Sequence, residues 1–160
     1  MTRHSKLIGK ITFWLLWPSL YFYLRNSSRT RVIILSGDEI LLIRNWLGPG
    51  QYTLPGGGVR KNEKPVVAAV REISEETGIN ISSNSLVPVI PKFLATEKGM
   101  RYNCYSYFTK LGSETKLKRQ KFEIAELKWV NIHEATTKYK LNSTARQLIT
   151  TWLDHNHLLD

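Results

Sequence analysis

A single cysteine among 160 residues, Cys104, leaves no internal disulfide to be made, and nothing in the chain calls for an oxidising compartment. The four histidines, His4, His133, His155 and His157, show no metal-ligand spacing and read as surface residues. Acid is scarce: 13 Asp and Glu stand against 23 Lys and Arg, a formal net charge of +10. That excess favours anionic partners, whether nucleotides, nucleic acid or an acidic membrane surface, and it also aids solubility. No apolar run reaches the ~20 residues that a spanning helix needs. The glycines at 56–58 are not followed by the Lys-Ser/Thr of a P-loop. Internal repeats and low-complexity tracts are absent.

What is present divides the chain in two. Residues 1–28 contain ITFWLLWPSLYFYL, 14 residues from 11 to 24, rich in Trp and Tyr, interrupted by Pro18 and flanked by Lys10 and Arg25. It has no small-residue cleavage site, which argues against a secretory signal. Its aromatic content suits packing on the domain or a seat at a membrane interface better than a span. Residues 29–160 are long enough for one domain with its own core.

Along that domain, Arg31–Leu35 and Glu39–Arg44 are strand-like runs around the turn Ser36-Gly37-Asp38, which predicts a hairpin. Tyr52–Leu54 reads as a short strand with Tyr52 in the core. Longer strands are expected over Leu86–Thr96 and Arg101–Thr109, then a basic loop from Lys110 to Lys121 and a last strand over Leu127–Ile132. Ser143 is the expected N-cap of a closing helix carrying Ala145, Leu148, Ile149 and Trp152 at core spacing. Strands interleaved with helices predict an α/β fold.

The stretch that carries chemistry is LPGGGVRKNEKPVVAAVREISEETGI, Leu54 to Ile79. Pro65 suits the first turn of a helix and Gly78 its end. Helical geometry of about 100° per residue gathers Val66, Val67, Val70 and Ile73 on one face and Glu72, Glu75 and Glu76 on the other. Carboxylates at i, i+3 and i+4 repel one another, and a cation relieves them. An all-oxygen cluster suits a hard divalent ion such as Mg²⁺ or Mn²⁺.

Gly57, five residues, Glu63, seven residues and then Arg71-Glu72-Ile73-Ser74-Glu75-Glu76-Thr77-Gly78-Ile79 reproduce the signature of the Nudix hydrolases, and the chain resembles that family. Seven fixed identities coincide by chance on the order of once in 10⁸ placements. The resemblance covers about residues 29–155. It implies an α/β/α sandwich with a mixed sheet and a catalytic loop–helix–loop. It implies a metal-dependent hydrolase that cleaves the P–O–P bond of a nucleoside diphosphate linked to another group. Glu75 and Glu76 match the principal metal ligands, Glu72 a further ligand or base, and the Gly56 carbonyl a backbone ligand. Glu63 and Arg71 match supporting positions, and Gly57 belongs to the backbone that approaches substrate. Glu123 matches a base or extra ligand before the last strand, with Glu126 as its rival. Arg44 or the loop 116–121 would contact phosphate, and Trp46 would stack on a base or pack.

No signature glutamate is missing, which argues against a binding module that has lost its chemistry. Other readings stay open: an enzyme acting on the 5′ end of RNA, or one recruited to membranes through residues 11–24 and acting on lipid-linked diphosphates. The domain reads as cytoplasmic, with membrane association through that segment. The attached group and the oligomeric state are not written in the signature.

Overall fold

The structure is a computed structural model that describes residues 27–47, 49–90, 92–97, 99–112, 117–118 and 123–156. The aromatic run 11–24 and most of the basic loop after Gly112 lie outside the described residues.

Six strands build one mixed sheet: β1 (Ser28–Ser36), β2 (Glu39–Asn45), β3 (Val87–Pro88), β4 (Phe93–Glu97), β5 (Met100–Leu111) and β6 (Ile124–Asn131). Their order is β3-β5-β1-β2-β6, with β4 also paired to β5. Strand β1 is parallel to β5 and antiparallel to β2, the expected hairpin. Among the described residues three α-helices complete the fold: α1 (Pro65–Thr77), α2 (Ile132–Lys138) and α3 (Ser143–Asn156). Among the described residues no helix is long and apolar enough to cross a membrane.

Val32 to Leu35 form an unbroken apolar run because β1 is covered on both faces. Ile33 and Leu35 pack with Leu148 and Ile149 of α3, whereas Val32 and Ile34 pack with Ala69 and Ile73 of α1. The result is the expected α/β/α sandwich.

Several local expectations need correction. The strand expected over Leu86–Thr96 is broken, because the Ser106 hydroxyl donates to the Ile90 carbonyl at 2.9 Å and accepts from its N–H at 2.8 Å. Its hydroxyl takes the Ile90 N–H out of the regular ladder, although the Ser106 N–H still donates to the Ile90 carbonyl at 3.3 Å. Lys110 belongs to β5, not to a loop. Strand β6 begins at Ile124 and gives way at Ile132 to α2, which went unforeseen; the Asn131 side chain accepts the His133 N–H at 3.0 Å and starts it. The same device opens α3, where Asn142 Oδ1, not Ser143, accepts the Ala145 N–H at 2.8 Å.

Candidate functional site

Helix α1 runs over the expected residues, with Pro at its start and Gly78 left-handed at its end (φ 73°). Its faces differ from the pattern reading. Val67 is 48% exposed, while Ala68, Ala69 and Ile73 are buried. Glu76, placed by periodicity on the polar side, is only 4% exposed.

The covering element is the glycine turn. Strand β1 pins it through Thr30 N–H to the Gly57 carbonyl (2.8 Å) and Val32 N–H to the Pro55 carbonyl (2.9 Å). Gly56 then donates its N–H to Glu76 Oε2 at 2.8 Å. Gly56 has φ 128°, and a Cβ there would strike the Thr30 carbonyl. At Gly57 a Cβ would lie 2.5 Å from the Glu72 carboxyl carbon. Gly56 is required by its close approach to the strand backbone, whereas at Gly57 only the mobile end of the Glu72 side chain would have to give way.

Arg71 ties turn and helix together. Its guanidinium donates to Glu63 (2.9 and 3.0 Å), to Glu72 Oε1 (2.7 Å), to Glu75 Oε2 (3.2 Å) and to the Gly58 carbonyl (2.9 Å). Glu63 also accepts the Arg60 N–H at 2.8 Å. The hydrogen bonds from Arg71 hold the Glu63 carboxyl down at about 2.

That shift carries a sign. The folded pKa is depressed, so ionised Glu63 stabilises the fold above the ordinary value of 4.5, and the contribution is lost as pH falls toward 2. Glu63→Gln is expected to flatten the acid limb of the stability curve across that window, as read by thermal melts from pH 5 to 2. A limb unchanged from the parent protein would remove Glu63 as its source.

Glu76 behaves oppositely. Burial pushes its carboxyl up to about 8; the charges of Glu72 and Glu123 add to this, and the Gly56 N–H and Arg31 oppose it. Glu123 is likewise raised, by burial and then by Glu72 and Glu75. Those influences place Glu123 toward the acidic face of α1. Its carbonyl accepts the Trp46 N–H at 2.9 Å, so the half-buried Trp46 anchors the start of β6 through its backbone.

Glu126 is placed differently. The register sets it opposite Arg44, and Arg44 Nε donates to its Oε2 at 3.2 Å with a second bond from Nη2. Burial would raise Glu126, but bonds from Arg44 and Tyr52 outweigh it and hold the carboxyl low. Arg44, expected to meet phosphate, is joined to Glu126 and lies over the Tyr52 ring, 5.5 Å from its centroid. Of the loop 116–121, only Leu117 and Lys118 are described; Lys118 N–H donates to the Thr77 carbonyl at 2.7 Å, which sets that residue against the end of α1. The Gly56 carbonyl accepts from Arg31.

Among the described residues, no three acidic, histidine or cysteine side chains converge on one point in metal-binding geometry. Arg71 bridges Glu72 and Glu75 in this arrangement, and Glu76 faces the glycine turn. The donor chemistry still fits a hard divalent cation: the carboxylates of Glu72, Glu75 and Glu76 are held within one and a half helical turns, and all offer hard oxygen donors.

Arg29 and Arg31, which sequence reasoning did not single out, are the surprise of the site. They sit in β1 on the face shared by Ile33, and Arg31 is only 5% exposed. The available signal was two arginines at a spacing of two, leading into an apolar strand.

The NUDIX domain family profile matches residues 26–152. Mouse diphosphoinositol polyphosphate phosphohydrolase 2 is 48% identical over 42 residues, covering 26% of this chain and 24% of the relative. The chain thus matches about a quarter of the length of such curated relatives. Among solved structures, a MutT NUDIX hydrolase from Burkholderia pseudomallei superposes with TM-score 0.69 at 20% identity, over 79% of this chain and 98% of that one. A C. elegans Ap4A hydrolase binary complex gives TM-score 0.68 at 21% identity, over 82% and 98%. These two likenesses speak for the fold.

Proposed function

The chain belongs to the NUDIX domain family, and from that premise we propose that it is a divalent-metal-dependent pyrophosphohydrolase, cleaving a P–O–P bond in a nucleoside diphosphate linked to another moiety. The carrying observation is the complete acidic set of α1, joined to the glycine turn through Arg71 and the Gly56 N–H. An inactive binding module has no use for so many carboxylates clustered against their own repulsion.

Glu72, Glu75 and Glu76 would hold the ion, Mg²⁺ or Mn²⁺, with the Gly56 carbonyl and Glu123 as further oxygen donors. The chemistry such an ion supplies when bound is neutralisation of phosphate charge and a lowered pKa for water. The chain's own part is orientation. Arg71 holds Glu72 and Glu75, and the Gly56 N–H holds Glu76, on one rigid helix, and these carboxylates would turn from those partners to hold the ion. Glu123, raised by burial and facing the cluster, is suited to accept the proton of the attacking water at its carboxylate.

The assignment between the two rivals is testable. Glu123→Gln is expected to lower kcat by ~10²-fold with KM nearly unchanged, in the range of general-base removal. Glu126→Gln is expected to leave kcat within about twofold of the parent, since Glu126 serves Arg44. The reverse pattern in steady-state kinetics would move the role to Glu126.

Substrate identity is best read from a screen of the full chain with Mg²⁺. It should include normal and oxidised deoxynucleoside triphosphates, ADP-ribose, dinucleoside polyphosphates, diphosphoinositol polyphosphates and 5′-triphosphate RNA. Failure to cleave any of them, whether into nucleoside monophosphate and a second phosphorylated fragment or with release of phosphate or pyrophosphate, would overturn the hydrolase reading. Recruitment to membranes rests on residues 11–24 and is checked by sedimentation with anionic vesicles, with and without residues 1–26.

A further inference from the structure

Helix α1 packs on the sheet through Ala69 and Ile73, against Val32 and Ile34. Its first residue, Pro65, stands at the edge of a cavity of about 440 Å³, lined also by Ser27, Ser28, Val59, Arg60, Lys61 and Tyr105. Ser28 is level with Asn103 of β5, and Asn103 with Leu94 of β4, so the three share one face of the sheet. Alternation along β5 adds Arg101 and Tyr105 to that face. Leu94 is 60% exposed there, and Tyr105 is half-buried beside the cavity.

The apolar patch has a cationic rim. Arg60, Lys61 and Arg101 are exposed. Among the described residues Lys61 and Arg101 form no ion pair, and Arg60 meets only Glu75, at 3.5 Å. Glu63, in the cavity wall, is committed to Arg71. Glu97 belongs to the opposite face, where it accepts from Asn142 Nδ2 at 3.2 Å. The hydroxyl of Ser27 is buried without a partner.

The aromatic run 11–24 ends three residues before Ser27, a stretch that extended chain spans in at most about 11 Å. That run is flanked by Lys10 and Arg25, and its aromatic side chains need an apolar seat. Packing on this face would set those cations against Arg60, Lys61 and Arg101. An anionic bilayer compensates both sets, with apolar groups at the acyl boundary and cations among the headgroups.

We propose that this face of the sheet is a membrane-docking surface, seated on an anionic bilayer beside residues 11–24. Leu94, with Tyr105, meets the acyl boundary, while Arg60, Lys61 and Arg101 meet headgroup phosphates. The Ser27 hydroxyl donates to a headgroup oxygen that enters the cavity. The inference is independent of which bond the acidic site cleaves. It gives the run a second contact on the domain, so the domain is oriented on the bilayer and not only tethered to it.

The test sediments the full chain with vesicles of equal parts phosphatidylcholine and phosphatidylserine at low salt. Lys61→Gln and Arg101→Gln are each expected to lower the partition coefficient about fivefold, the scale of one cation near such a surface. Leu94→Gln should lower it about fivefold or more, by removing apolar contact. Lys140→Gln is the control: exposed Lys140 follows α2, which packs on the other side of the sheet, and partitioning should stay within about twofold of the parent. High ionic strength should erase the two charge effects and spare that of Leu94. Parental partitioning in all three face variants would leave residues 11–24 as a tether alone and overturn the docking surface. Equal binding to vesicles of phosphatidylcholine only would overturn it too. So would a parent chain that stays in the supernatant, its run packed on its own domain or on a second copy.

Discussion

Glu76→Gln is expected to reduce hydrolysis by at least ~10²-fold at saturating Mg²⁺, the scale of losing a direct metal contact, while leaving the metal-free fold nearly as stable as before. The two halves of that result have one cause. Glu76 is buried beneath the glycine turn, and burial pushes its carboxyl up to about 8. At pH 7 without metal it is therefore mostly neutral, and glutamine is its close neutral isostere. The amide oxygen can still accept the Gly56 N–H that Glu76 Oε2 accepts at 2.8 Å. What glutamine cannot provide is the ionised carboxylate that a hard cation demands. Melting temperature without metal should move little at pH 7, and the stabilisation gained on adding Mg²⁺ should shrink. Parental turnover in the variant would remove Glu76 from the metal site.

Gly56→Ala should damage fold and activity together. The residue sits at φ 128°, outside the region that side-chain-bearing residues tolerate, and a Cβ would strike the Thr30 carbonyl of β1. Backbone strain of this kind costs about 1–3 kcal/mol, and displacement of the turn adds to it. The Gly56 peptide also joins Arg31 to Glu76, so moving it releases both side chains. We expect a loss of about 3 kcal/mol in denaturant unfolding and a fall in kcat of ~10²-fold or more. Gly58→Ala is the control, since a Cβ there meets nothing within 4 Å; its stability should change by less than ~1 kcal/mol. Equal behaviour of the two variants would show that the turn is not held by close approach.

The sequence by itself determined the features written in neighbouring residues. Helix α1 was legible from Pro65 to Gly78, because its start, its apolar positions and its left-handed end are local matters of backbone geometry. The β1–β2 hairpin followed from two apolar runs and a three-residue turn signal, and the acidic set from spacing within one helix. The family, the α/β/α architecture and the hydrolytic chemistry that the signature implies were likewise within reach. Element ends set by a single side chain were not. Ser106 interrupts a strand from across the sheet, and Asn131 and Asn142 open helices only because their backbones bend there.

Tertiary structure decided which of the polar groups are buried and which partners they meet. Periodicity on one helix could not foresee that a turn twenty residues earlier would cover Glu76, since a helical wheel records faces and not what packs on them. Glu123 and Glu126 are alike in sequence; the antiparallel register of β2 and β6 sets Glu126 against Arg44 and leaves Glu123 toward the acidic face. Arg31 looks like an ordinary cation of a basic chain until β5, more than seventy residues away, pairs parallel to β1 and the glycine turn packs against it. Burial turns each of these charges from a solvated group into one that needs a partner, and that change of environment arises only when distant segments meet.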